Sequence, residues 1–253
     1  MLGKLIKNEF VNRWKSILGI YGIISVLGLL YALVNFLHED VGVNNRYFEL
    51  FGAIIVITFA LSIYISMVAI VLQSFGDYNK RFFKEQGYLT HTLPVKTIHL
   101  LIARMVCDLC VCASIGAFYP FIISVAERDF SLFKDLAKYI SYFVKNENIL
   151  EILSELTFAV AIMVLCILVG IWAYYAAYAI GHSYSTGKRV KSVAAYIVIY
   201  VVGMFAFLFV ETEIFSKVDY VYLKWLSILF LTLCVGGLVA ITNYVCKNRL
   251  NLE

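Results

Sequence analysis

Charge is scarce in this chain. Asp, Glu, Lys and Arg make up only 15% of its 253 residues, 62% are hydrophobic, and the mean hydropathy is +0.85. Soluble globular domains carry roughly 25% charged and about 45–50% apolar residues, so a soluble fold is excluded and an integral membrane protein is expected. Proline is nearly absent, with two residues in all, and the apolar runs are long and unbroken. The segments of about ten alternating residues that mark a membrane barrel are missing, which leaves helices as the spanning elements. No cysteine lies in a long polar loop. Cys107, Cys110, Cys112, Cys166, Cys234 and Cys246 all fall in or beside apolar segments, so a disulfide framework is not expected.

Chemistry is scarce as well. The nearest approach to a nucleotide motif runs from Gly181 to Lys188, but five residues separate its glycines and Arg189 follows the lysine. A phosphate-cradling loop needs four, followed by Ser or Thr. Cys107 and Cys110 would share a helical face and Cys112 points elsewhere, so one helix cannot present all three to a metal. His38, His91, His99 and His182 lie in or near loops with no metal-type spacing. No nucleophile–base pattern stands out. The chain is expected to be neither an enzyme nor the holder of a metal or cofactor, and no nucleic-acid partner is expected.

What is present is an all-α polytopic layout. Residues 1–15 place Leu2, Leu5, Ile6, Phe10 and Trp14 near one helical face, with Lys4, Lys7, Asn8, Asn12 and Arg13 largely on the others. That pattern predicts an amphipathic interfacial helix in the headgroup region. Six transmembrane helices follow, at about 17–37, 50–75, 98–125, 156–180, 193–210 and 223–245, each near the ~20 residues a span needs. The first is read as a retained span, because no small-residue cleavage site follows it. The segment 126–155 is the longest polar one. Phe130, Phe133, Ala137, Ile140 and Phe143 recur in it at helical spacing, which predicts a helix resting on the outer leaflet. Ala173, Ala177 and Gly181, with Gly236 and Gly237, predict close packing between spans.

Fourteen of the 21 basic residues fall on the side that carries both termini, against five of the 17 acids. Lys and Arg mark cytoplasmic loops, so both termini and the loops after spans two and four are expected in the cytoplasm. Arg104 and Asp108, one turn apart in span three, form the one charged pair inside a span. A charge there is a functional hypothesis by default. The pair can also satisfy itself at this spacing, with Arg104 close enough to the interface to snorkel. Glu151, Glu155, Glu211 and Glu213 read as a solvated outer rim.

The stretch 77–97 contains DYNKRFFKEQGYLTHTLPVK, too charged and too broken by Gly87 and Pro94 to lie in a bilayer. Its aromatic and aliphatic side chains are costly to leave in water and are expected to be covered by a partner or the membrane surface. Phe82 through Val95, FFKEQGYLTHTLPV, resembles the loop between spans two and three of bacterial type-2 (exporter-class) ABC transporter permeases. The six-span layout, the N-terminal helix and the length without an ATPase domain are similar too. The resemblance implies a coupling loop docking on a separate cytosolic ATPase subunit that binds ATP and Mg. Phe82, Phe83, Glu85, Gly87, Tyr88, Leu89, Thr90, Leu93 and Pro94 would be its coupling residues; His91 departs from the pattern. It further implies a second permease copy or paralogue as dimer partner and a multi-pass place in the lipid of the bacterial plasma membrane. The spans are compatible with lipid, drug, peptide or ion cargo. A secondary transporter or channel, and a non-transporting membrane anchor or regulator, are the alternatives.

Overall fold

A computed structural model describes residues 2–39, 45–83, 96–131, 133–135, 137–138, 141, 149–184, 186–213 and 220–248. Six long helices hold most of them: α1 Leu2–Glu39, α2 Arg46–Phe83, α3 Thr97–Ala126, α4 Ile149–His182, α5 Lys188–Glu213 and α6 Tyr220–Asn248. No strand occurs among the described residues. All six helices are long and apolar enough to cross a membrane. The chain is an all-α, multi-pass membrane protein, as its composition requires.

The first two helices are longer than expected. The N-terminal amphipathic stretch is helical from Leu2 and continuous with the first span, since α1 runs unbroken through both. No proline interrupts this region, and adding a residue to an existing helix costs far less than starting a new one. The 38 residues of α1 extend about 57 Å at 1.5 Å per residue, well beyond a hydrocarbon core of about 30 Å. The helix α2, also 38 residues, carries the polar stretch from Asp77 onward as helix to Phe83. Gly87, the first breaker in that stretch, lies four residues further on.

Contacts divide the chain into two units, Met1–Gly76 with Cys110–Ile149, and Asp77–Leu109 with Leu150–Glu253. Both α2 and α3 pass from one unit to the other along their length.

In the first unit, α1 meets α3 along a stripe with heptad spacing. The Tyr21 and Ser114 hydroxyls lie 2.9 Å apart, and Asn35 Nδ2 donates to the Ala126 carbonyl at 3.0 Å. Between them a Cβ on Gly28 would stand 2.9 Å from Ile122 Cγ1, so the missing side chain is what lets the helices approach there. The same α1 runs antiparallel to α2, with Arg13 against Ser74 and Tyr31 against Phe59. Arg13 is buried and donates from Nη2 to the Ser74 hydroxyl at 2.9 Å and to its carbonyl at 3.2 Å. It therefore leaves the headgroup-facing surface expected of it, because the unbroken helix carries it against α2. Ile17, Ile24, Ile70, Val111 and Ile122 fill the core around Tyr21 and Tyr119. Ser66 and Tyr119 share a 2.7 Å hydrogen bond inside it. Of the helix expected in 126–155, the described residues between 131 and 141 are helical. Ser131 N and Oγ donate to the Asp129 carboxylate at 2.8 and 2.9 Å. This is the Asx capping that starts a helix.

In the second unit, α4 and α6 are tied near their N-terminal ends by the Lys224–Glu155 ion pair. Of the expected rim glutamates, only Glu155 has a described side chain. The turn between α4 and α5 depends on two glycines. A Cβ on Gly181 would stand 2.6 Å from both Cα and N of Ser192, and Gly187 has φ +67°, a left-handed conformation that favours glycine. The near-match to a phosphate loop is therefore a helix reversal, with Lys191 N donating to Gly187 O at 3.0 Å. Gly236 and Gly237 do not make the close approach expected of them, because no described neighbour lies within 4 Å of where a Cβ would stand.

Candidate functional site

The polar pair Arg104–Asp108 proves to be the centre of an aromatic cluster within the second unit. Arg104 is 0% exposed and Asp108 7%. The expected snorkelling of Arg104 toward the interface is thus overturned. Its position near the start of α3 turns it inward, where aromatic rings rather than water surround it.

Tyr78 of α2 is the hub. Its ring stacks on Tyr175 of α4 at 4.4 Å with 16° between planes, and lies 5.0 Å from Phe82 and 5.3 Å from Phe83. The Arg104 guanidinium carbon stands 5.6 Å from the centroid of the same ring, within cation–π range. A desolvated contact of this kind is worth about 2 kcal/mol, which offsets part of the cost of taking the guanidinium out of water. Tyr175 donates its hydroxyl proton to Asp108 Oδ2. Trp172, one turn earlier on α4, donates from Nε1 to Met105 Sδ at 3.3 Å.

The α4 side of the cluster is built by spacing. Tyr174, Tyr178 and His182 recur every four residues, one position after the small-residue row Ala173, Ala177 and Gly181. Two rows one position apart lie about 100° from each other on the helix. The His182 ring stacks on Phe83 at 4.4 Å, and its Nδ1 lies 3.0 Å from the Tyr178 carbonyl.

Phe82 and Phe83, expected to be covered by a partner or headgroups, are buried by this chain's own rings at 2% and 3% exposure. They stand one turn past Tyr78 on a helix that continues beyond the expected span, so the apolar stripe of α2 carries them inward. Glu85, Gly87, Tyr88, Leu89, Thr90, Leu93 and Pro94 lie outside the described residues, as does His91. Both ends of the segment that carries them are nonetheless placed. Before it come Tyr78, Phe82 and Phe83 of α2, and after it Leu100, Leu101 and Arg104 of α3, and these side chains are all buried.

Tyr78 and Tyr175 were not singled out from the sequence. One signal was available: Tyr78 and Phe82 sit four apart, continuing an apolar helical face into a stretch that composition marks as polar. Cys107 is buried and Cys110 exposed, so the two do not share an environment despite their three-residue spacing. Among the described residues no group of His, Cys, Asp or Glu could hold a metal. What the arrangement offers is mechanical: two loop ends and one long helix locked through shared rings, a stacked contact and a charge-assisted hydrogen bond. Searches against family profiles, curated proteins and solved structures find no match to this chain.

Proposed function

We propose that this chain is the permease subunit of an ATP-driven exporter of the ABC class. In this reading it lies in the bacterial plasma membrane with both termini cytoplasmic, and it works as a homodimer or heterodimer with two cytosolic ATPase subunits. The observation that carries the reading is the burial of α2 and α3 side chains before and after residues 84–95. Tyr78, Phe82 and Phe83 of α2 and Arg104 of α3 enter one buried cluster together with α4. Helices joined in this way would pass displacement on to α4 instead of absorbing it.

The ATPase partner supplies the free energy through ATP and Mg bound on its own chain. This chain supplies the dock at Glu85–Pro94, the rigid stems on α2 and α3, and the bundle that rearranges. The charge distribution supports a cytoplasmic dock, where such a partner would be.

The test is co-purification. The full chain, extracted from bacterial membranes in mild detergent, is expected to bring down an ATP-hydrolysing subunit. Replacing residues 84–95 with a Gly/Ser segment of equal length should abolish that association. G87W or L89D should weaken stimulation of the ATPase without unfolding the chain. Wild-type coupling in both point variants would remove the loop from this role.

One observation favours a second reading, a secondary transporter: the buried Arg104–Asp108 pair lies within a span, where ion-coupled carriers place working charges. Transport in vesicles driven by an ion gradient without ATP would support that reading instead.

A further inference from the structure

We propose that Tyr78, Arg104, Asp108 and Tyr175 form a clamp that carries displacement of the 84–95 segment into α4. Arg104 and Asp108 are then positioning residues for coupling and not part of a substrate path. This rests on the function proposed above and names its transmission residues.

The first argument is closure. Tyr78 and Arg104 are 0% exposed, Tyr175 1% and Asp108 7%. A charged group that binds cargo has to be reachable by the cargo, whereas one that holds helices together is best sealed, because a low local dielectric strengthens its contacts.

The second argument is connectivity. Each end of the segment has its own attachment to α4. From α2, the Tyr78 ring stacks on Tyr175, its hydroxyl lies 3.5 Å from the Tyr175 carbonyl, and Phe83 stacks on His182. From α3, Asp108 accepts the Tyr175 hydroxyl proton and Met105 accepts from Trp172. The two ends also meet each other, through the Arg104 guanidinium over the Tyr78 ring. Tyr175 therefore takes load from both sides, on its face from α2 and at its hydroxyl from α3.

The third argument is range. Stacked rings and hydrogen bonds are held over a few tenths of an ångström and then break. Elements joined by them move as one body or switch to a second packing. Contacts with those properties are a physical basis for coupling between distant sites.

Trp172 supplies the readout. It is one of three tryptophans, so W14F and W225F leave it alone inside the cluster. The full chain in this background is placed in lipid nanodiscs with the ATPase that co-purifies with it, and emission is followed on addition of MgATP. The parent protein is expected to shift its emission. Y175F, which keeps the stack on Tyr78 and loses the hydroxyl, should keep the bound ATPase and its hydrolysis but lose most of the shift. D108N, which keeps an oxygen acceptor for Tyr175, should retain most of it. A merely structural role would order the variants by thermal stability instead of by this split. If Y175F does not fold, R104K carries the same expectation, because it keeps the charge and loses the planar face over Tyr78. A full shift in Y175F or R104K, or no shift in the parent, overturns the clamp and leaves the functional reading standing. A parent chain that binds no ATPase overturns the reading, and the clamp with it.

Discussion

The Tyr78 ring lies 4.4 Å from that of Tyr175 with only 16° between their planes, although 97 residues separate them in sequence. This offset stack is the favoured geometry for an aromatic pair, and both rings are sealed from solvent. Y78A is expected to cost about 3–5 kcal/mol, as removal of a large buried ring does, and Y78F no more than about 1.5 kcal/mol. Thermal denaturation of the purified chain in lipid nanodiscs checks the order. Equal losses in the two variants would mean that the hydroxyl, not the ring, holds the site.

Glycine position should matter sharply. At Gly181 an added methyl meets the backbone of Ser192 at 2.6 Å, which no rotamer change relieves. G181A is expected to destabilise by about 1–3 kcal/mol, the range for overpacking. G236A adds a methyl where no described atom lies within 4 Å and should be neutral, or more stable by up to about 1 kcal/mol through helix propensity. The two midpoints, measured side by side, separate close packing from backbone effects.

Ser66 and Tyr119 are joined at 2.7 Å inside the first unit. A double-mutant cycle with S66A and Y119F should give a coupling energy near 0.6 kcal/mol and below about 1.7 kcal/mol, as for other hydrogen bonds between membrane helices. A value indistinguishable from zero would mean that the two hydroxyls do not bond in the bilayer.

The Asp129 carboxyl is held below its usual range. The backbone N–H of Ser131 is the larger cause and its hydroxyl the second. A depressed folded-state pKa means that the cap contributes fully above the ordinary value of 3.8 and is lost as pH falls through the lower folded value. The Ser131 amide resonance should report this, moving only below the ordinary carboxyl range in the native chain. In D129N it should be insensitive to pH over the same window. Titration in the native chain at or above the ordinary value would contradict the cap.

Number and order of the spans were legible because each is an apolar run of sufficient length. Helix ends were less so. The change at Lys15 from a one-sided to an all-round apolar pattern looks like a boundary, yet without proline the backbone continues through it, and Arg13 is carried inward to Ser74. Arg104 and Asp108 stood out as charges in an apolar run. Their partners did not, because a tyrosine in a membrane helix looks the same whether it faces lipid, a headgroup or a guanidinium. Only the tertiary fold brings Tyr78 and Tyr175 to that pair.

One consequence follows from α5. Among its described side chains only Ser192, in the first turn, is buried, and none from Val193 to Val210 is. Hydrocarbon tails are as apolar as the side chains they meet and favour no particular roll of the helix about its own axis. Beyond Ser192 the described side chains of α5 are exposed or half-buried, a face offered to lipid or to another chain. Apolar substitutions at its exposed valines Val193, Val198 and Val202 should leave the rest of the bundle undisturbed.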